Sequence, residues 1–422
     1  MKFKIYTLGC KVNAYESEMM KEKMLANNFI YDELNPDIII INTCSVTNTA
    51  DHKSEKMVRH FKRENPNAIL AVCGCSSQND ASKYEEIGVD ILIGNRQKSE
   101  IVKLINNFLE TKTKYEFIDK NRKICFEDMQ ISKFTTHTRA FVKIEDGCDN
   151  FCSYCVIPLV RGSIRHKDFN LVLKEVEELV KNGHQEIVFT GIHTGSYNSM
   201  GHDLTDLIHE VSKLENLKRI RISSIEITEL DAKFLKELQM NSKICNHLHI
   251  PLQAGSDFIL EKMNRKYNIE KFTEIINNIR DIRPDISITT DVIVGFPFEN
   301  EELFQETLNT VKKLKFSKVH VFPYSVRKGT KASLMKEQVL ENVKHERSKR
   351  LIELSNELEN IYAQKFLNKS LDVLIEKSGD YSIGTTSNYL KVKINKKIVN
   401  NTIVKVLIKR IENKILIGEV ID

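Results

Sequence analysis

Three cysteines within eight residues, in Cys148-Asp-Asn-Phe-Cys152-Ser-Tyr-Cys155, are the sharpest chemical feature of the chain. Thiolates at this spacing can hold three irons of a four-iron cubane and leave the fourth open to a substrate or cofactor. Structural zinc is the competing occupant, but it wants four closed ligands and no fourth lies near in sequence. Three more thiols recur at matching places: Cys10, Cys44 and Cys75 each follow a short apolar run, separated by 34 and 31 residues. A βαβ unit is about 30 residues long, so this spacing brings all three to the carboxyl edge of one parallel sheet. Ordinary burial accounts for any one of them. Three in register at a ligand-binding edge point to a second metal cluster. Cys73 is the alternative to Cys75, with only Gly74 between them, and Cys75 is favoured because it sits past the strand end.

The elements that must position these thiols follow from hydrophobic periodicity. Residues 4–8, 37–41, 68–73 and 91–93 read as strands and 13–27 as a helix, an alternation that predicts an open parallel α/β sheet. Residues 112–133 read as a linker. From Arg139 the alternation restarts, with strands at 140–144, 186–190, 219–223, 247–251, 286–294 and 318–323. Amphipathic segments at 170–181, 231–238 and 271–282 lie between them. Six βα units predict an incomplete (β/α)6 barrel, since closure needs eight. A long helix is expected over 337–366. Beyond it the period changes to two, at 371–375, 390–394, 403–408 and 414–420, predicting a small OB-like β-barrel of the kind that binds oligonucleotides. The expected domains are 1–125, 134–365 and 366–422.

A three-cysteine motif closing the first strand of a six-unit βα domain resembles the radical S-adenosylmethionine superfamily. Asp291-Val-Ile-Val-Gly295-Phe-Pro297 agrees with it, ending a strand with the Gly and Pro that members place beside adenosylmethionine. The superfamily's Gly-Gly-Glu after the second strand is absent, and Thr190-Gly191-Ile192-His193-Thr194-Gly195 stands there instead. The resemblance implies that the open iron chelates the amino and carboxylate groups of adenosylmethionine, whose cleavage yields a 5′-deoxyadenosyl radical. With Cys10, Cys44 and Cys75 in view, it narrows to the methylthiotransferases, which carry an amino-terminal three-cysteine domain, a radical domain and a carboxy-terminal TRAM domain. Thr7-Leu-Gly9-Cys10-Lys11-Val12-Asn13 is similar to the group acting on threonylcarbamoyladenosine in tRNA; the isopentenyladenosine group usually has Gln-Met between that Cys and Asn. Gly74-Cys75-Ser76-Ser77-Gln78 resembles the family's Gly-Cys-x-Ala-Gln.

That family implies two [4Fe–4S] clusters, on Cys148/Cys152/Cys155 and on Cys10/Cys44/Cys75, with the second delivering sulfur to an aromatic carbon. A second S-adenosyl-L-methionine then provides the methyl group. Glu226, His249, Gln253, Asp291 and Arg327 lie near strand ends, where a barrel gathers its site. With Thr190, Gly191, Gly295 and Pro297 they are the expected adenosylmethionine contacts. Cys125 reads as a linker thiol and Cys245 as a core residue.

Composition agrees: 41% apolar and 29% charged residues exclude a disordered, collagenous or membrane-embedded chain. No run is long enough to span a membrane, and the first ten residues lack a signal peptide's apolar core, so a cytoplasmic monomer is expected. Of a formal charge of +5, nearly all lies beyond residue 366, where ten Lys or Arg face six Asp or Glu. Such a tail suits a phosphate backbone, and it is expected to hold the anticodon stem-loop of tRNA by charge while the radical domain reads the base. A reductant such as flavodoxin or ferredoxin and a sulfur donor complete the expected partners.

Overall fold

A computed structural model describes residues 1–121 and 125–421. Part of the expected linker, residues 122–124, lies outside them.

The first unit is a six-stranded sheet, all parallel: β1 (Lys2–Thr7), β2 (Ile30–Tyr31), β3 (Ile38–Thr43), β4 (Ile69–Gly74), β5 (Ile91–Ile93) and β6 (Tyr115–Phe117), in the order β2-β1-β3-β4-β5-β6. Strand β6 falls inside the segment expected to be a linker. That segment is too polar to show period two, yet Tyr115 to Phe117 pair with Ile91 to Ile93 and extend the sheet. Met129 and Ile131, further along it, are buried in the core. Alternation along β3 sends Ile38 and Ile40 to one face and Ile39 and Ile41 to the other. The second face is covered by α2 (Asn48–Glu64) through Val58 and Phe61. The first packs on α1 (Lys11–Ala26), which is buried on both sides because the next unit lies against its far face. Each such buried aliphatic side chain contributes about 2 kcal/mol from water exclusion.

The second unit holds six parallel strands, β7 (Ala140–Lys143), β8 (Glu186–Thr190), β9 (Arg219–Ile222), β10 (His247–His249), β11 (Ser287–Val294) and β12 (Lys318–Pro323). They form two ladders, β9-β8-β7 and β10-β11-β12. A single parallel bridge, Ile220 to Ile244, joins the ladders into an open partial barrel. Strands β9 and β10 stop earlier than the hydrophobic runs suggest, since Ser223 and residues 250–251 already belong to the loops above the barrel. The core of this unit is continuous with the inner face of the first sheet, so the two are not separately packed.

Glu341–Gln364 forms the long helix and leads to a closed barrel, β13 (Ser370–Ser378), β14 (Ser382–Thr386), β15 (Lys391–Ile394), β16 (Ile403–Glu412) and β17 (Ile415–Val420), ordered β13-β14-β15-β17-β16. Strand β14 was not expected. Its Gly and Thr residues carry little hydrophobic signal, and Gly384 is required because a Cβ there would meet Leu374 O at 2.4 Å. This barrel has its own core.

Candidate active site

The register of the first sheet brings Cys10, Cys44 and Cys75 together. Thr43 pairs with Gly74, so Cys44 and Cys75 leave adjacent strands at the same level; Thr7 pairs with Asn42, which puts Gly9 beside Cys44. Gly9 has φ +104°, and a Cβ there would lie 2.9 Å from Cys44 Sγ, so only glycine leaves room at this edge. Cys10 caps α1 in extended backbone without using its side chain. Asn13 Nδ2 donates to Leu8 O (2.7 Å) and Thr43 O (2.9 Å), tying the Cys10 and Cys44 loops together. Ser54 of α2 accepts from the Cys44 amide at 3.0 Å. Cys75 starts a short helix, Cys75–Asn79, and Asn95 Nδ2 donates to its sulfur at 3.4 Å. Cys73, by contrast, is packed in the core among the strand side chains.

Beneath this edge lies a buried ionic network. Glu16 of α1 accepts from Lys98 (2.5 Å), Lys143 (2.7 Å) and Arg161 (3.0 Å). Asp146 accepts from Lys143, Arg161 and Arg165. Burial alone would raise both carboxyls, yet the surrounding cations hold them below the usual range. Four cations against these two carboxylates leave positive charge next to Cys10 and Cys75, both within electrostatic reach of Arg161. Such a setting suits an anionic thiolate cluster.

The other trio occupies one loop after β7. Gly147, at φ +84°, starts it, and the Cys148 amide donates to Gly162 O at 3.2 Å. Asn264 Nδ2 donates to the carbonyls of Asn150 (3.2 Å) and Phe151 (3.0 Å), pinning the left-handed turn at Phe151. Arg265 Nη1 donates to Cys152 Sγ at 3.3 Å and pairs with Glu226. His193 sits between Cys148 and Glu229. Burial would lower its pKa, but hydrogen bonds to Cys148 and Glu229 lift it to about 11. Burial pushes the Cys44 thiol up to about 11 and Cys155 up to about 12. The three thiols of each trio lie within electrostatic reach of one another, and a metal bound there would supply the countercharge that lets such buried thiols ionise.

The two trios share a wall. Cys75 packs on Val156 and Val160 of the short helix Ile157–Val160 and its approach, next to Cys155, and Asn95 donates to Val160 O at 2.9 Å. Beside them opens a cavity of about 380 Å³ lined by Cys10 and Lys11 from the first unit and Thr190, Gly191, His249 and Asp291 from the barrel. Ser223, Ser224 and His320 also line it, and Tyr389 from the closed barrel forms a further wall. His249 Nδ1 contacts Thr289 Oγ1 at 2.9 Å, and its Nε2 lies 3.3 Å from Asp291. With His320, these two residues bring three ligand atoms within 4.8 Å of one another, a donor set suited to a cation or to the polar edges of a nucleoside.

Thus Thr190, Gly191, His249 and Asp291 meet at this cavity, and other expected contacts stand elsewhere. Glu226 is engaged by Arg265. Gln253, at φ +65°, exchanges backbone hydrogen bonds with Asp291 and Ile293. Gly295 donates its amide to Glu299 at 2.7 Å and abuts Lys344, with Pro297 in the same turn. Arg327 is buried against Asn48 and Asp51 of α2, bracing the first unit on the barrel. Cys245 is buried in the core and Cys125 is exposed. Sequence reasoning missed Asn13, Arg161, His193 and Arg265, for isolated polar residues carry no spacing signal. Tyr389 was not among the expected site residues either; its ring stacks on His247 at 4.6 Å with Arg221 over it at 4.9 Å.

Comparison with known proteins agrees with this geometry. Residues 142–311 match the radical SAM superfamily and residues 2–94 match the uncharacterized protein family UPF0004. The threonylcarbamoyladenosine tRNA methylthiotransferase MtaB of Bacillus subtilis is 42% identical over 92% of this chain and 89% of its own. The protein of that name from Aquifex aeolicus is 36% identical over 93% and 96%. The tRNA-2-methylthio-N(6)-dimethylallyladenosine synthase of Clostridium tetani is also 36% identical, over 100% and 92%. Among solved structures, the radical S-adenosylmethionine methyltransferase TsrM of Kitasatospora setae shares the fold, with a TM-score of 0.54 at 13% identity over 76% of this chain and 74% of that one. Relatives this similar along nearly the whole length, with the superfamily match over the barrel, mean that the chain belongs to the radical S-adenosylmethionine methylthiotransferases.

Proposed function

We propose that the protein modifies tRNA, placing a methylthio group on C2 of N6-threonylcarbamoyladenosine 37. The observation that carries this reading is a cavity in which Cys10 of the first thiol trio stands beside strand-end residues of the barrel, next to the wall where Cys75 packs on the loop that carries the second trio. Cys148, Cys152 and Cys155 would hold one [4Fe–4S] cluster, and Cys10, Cys44 and Cys75 a second. With S-adenosyl-L-methionine bound, these groups supply the hydrogen-abstracting radical, the sulfur and the methyl group. Thr190, Gly191, His249 and Asp291 would contact adenosylmethionine or the adenosine. Glu226 acts through Arg265, whose donation to Cys152 orients that ligand and tempers its charge.

The reading divides the chain into an amino-terminal cluster domain (1–125), a radical domain (134–365) and a TRAM domain (366–422). Lys391, Lys393, Lys396 and Lys397 of the last suit the phosphates of the anticodon stem-loop. No helix among the described residues is long and apolar enough to cross a membrane. A cytoplasmic monomer served by a flavodoxin- or ferredoxin-type reductant and a sulfur donor fits the chemistry.

Nucleoside mass spectrometry of total tRNA from a strain lacking the protein tests the substrate. Loss of the 2-methylthio form of threonylcarbamoyladenosine, with other methylthio nucleosides retained, is the expected result. Loss of the isopentenyl derivative instead would keep the chemistry and overturn the substrate; no change in tRNA would send the search to a ribosomal-protein aspartate.

A further inference from the structure

We infer that Lys11 reads the carboxylate of the substrate's threonyl arm and so determines which adenosine derivative the cavity accepts. This rests on the substrate reading above. Lys11 follows Cys10 at the start of α1, and its side chain lines the cavity shared with the barrel and Tyr389. Its ammonium makes no hydrogen bond or ion pair among the described residues, and only the Tyr389 phenol and the Cys10 thiol lie within favourable electrostatic reach of it. The neighbouring charges leave it no counter-ion. Arg221 is bound to Glu186 at 2.7 Å, and Arg219 shares the same carboxylate. Arg139 is paired with Glu376 at 2.7 Å. Asp291, the anion that lines this cavity, faces His249. Lys11 is therefore a cation with no hydrogen-bonded counter-ion, near the Cys10 sulfur and the Tyr389 phenol, in a partly desolvated cavity among arginines whose counter-ions are already used. Such a group is costly to leave without an anion and rewards a ligand that brings one.

Three anions could come from the reactants. The carboxylate of adenosylmethionine belongs, by the family resemblance, at the iron held by the Cys148 trio, whereas Lys11 adjoins Cys10. The RNA phosphates lie at the sugar end of the nucleotide, away from C2. The arm on N6 is different. C2 and C6 flank N1 on one edge of the purine, so a base that turns C2 toward the Cys10 side brings its N6 arm to the same side. In threonylcarbamoyladenosine that arm ends in a carboxylate; in isopentenyladenosine it is a neutral hydrocarbon that would leave the ammonium unpaired. Lys11 thus attracts one substrate and penalises the other.

The test uses reconstituted full-length enzyme and three anticodon stem-loop RNAs, carrying threonylcarbamoyladenosine, its carboxyl methyl ester or isopentenyladenosine at position 37. The readouts are the ratio of Kd for ester over acid, by fluorescence anisotropy, and the matching ratio of kcat/KM. Charge-assisted hydrogen bonds at partly buried sites predict a preference for acid over ester of about 10- to 100-fold in the wild type. In Lys11→Gln that preference falls to near unity, and in Lys11→Arg most of it returns, with iron content measured in each variant to establish that the clusters load. An acid-over-ester preference unchanged in Lys11→Gln overturns the assignment while leaving the substrate reading intact. Equal losses on acid and ester would make Lys11 a support of the fold or of RNA binding, and also overturn it. Turnover of the isopentenyladenosine RNA alone by the wild type would overturn the substrate reading and the Lys11 assignment together.

Discussion

Cys148, Cys152 and Cys155 sit on one loop, whereas Cys10, Cys44 and Cys75 are gathered from three strands whose register alone makes them neighbours. The local trio is steadied by hydrogen bonds that arrive from later in the chain, at Asn264, Arg265 and His193. The dispersed trio is steadied from below, by α1 and the ionic network it carries. A loop needs few residues to place three ligands, but its setting comes from elsewhere; a sheet edge needs the whole fold to bring its ligands side by side. The two trios nonetheless share a wall at Cys75, Val156 and Val160, and the proposed chemistry would give sulfur transfer to one and radical generation to the other.

The sharpest way to break this comparison is to remove one trio at a time. Replacing Cys148, Cys152 and Cys155 with Ala is expected to abolish both adenosylmethionine cleavage and methylthiolation, with about four irons remaining by analysis. In the Cys10/Cys44/Cys75→Ala protein, cleavage to 5′-deoxyadenosine is expected to persist while sulfur insertion stops. If cleavage also ceased, the two sites would not be functionally separate. Next in size is Arg161→Met, which strips a partner from both Glu16 and Asp146. Glu16 and Asp146 each keep two other cations, so the cost is that of lost charge-assisted hydrogen bonds, about 1.5–3 kcal/mol; thermal unfolding should fall by a few degrees, with iron lost first from the dispersed trio. Retained stability would mean that the network is not what steadies that edge.

Arg265→Gln probes the loop trio in the same way. Removing the donor to Cys152 is expected to lower adenosylmethionine cleavage about 10- to 100-fold with cluster loading nearly intact, and a shifted electron paramagnetic resonance signal of the reduced cluster would separate tuning from simple loss of fold. Smallest is Cys73→Ala, two residues from Cys75 but packed in the core. It should cost about 1 kcal/mol by truncation of a small buried side chain and leave the iron count unchanged; a loss of iron would exchange the roles of Cys73 and Cys75.

Much of this was legible in the chain. The strands of both α/β units were readable because each is a dense apolar run, as in β3 with Ile38 to Ile41, and the six candidate cysteines stood out because their spacing matches a loop or a βαβ repeat. Strands β2, β6 and β14 were not: β2 is only two residues long, β6 and β14 lack the side chains to announce themselves, and each exists by pairing with a neighbour. The same holds for the site. Thr190, Gly191, His249 and Asp291 line the cavity as strand-end residues should, but nothing local distinguishes them from Gln253 or Arg327, which spend their hydrogen bonds on backbone and on α2.

Residue type and spacing by themselves determined the ligands that could bind metal, the βα order and the change to a small barrel at residue 366, because each depends on contacts close in sequence or on a simple period. Only the tertiary structure decided that α1 is buried between two units and carries Glu16 into an ionic network, that the closed barrel lends Tyr389 to the cavity, and that Lys11 faces it without a partner. These are relations between segments far apart in the chain. They come into being when hydrophobic faces from different units share one core and the polar groups caught between them must find partners or wait for a ligand.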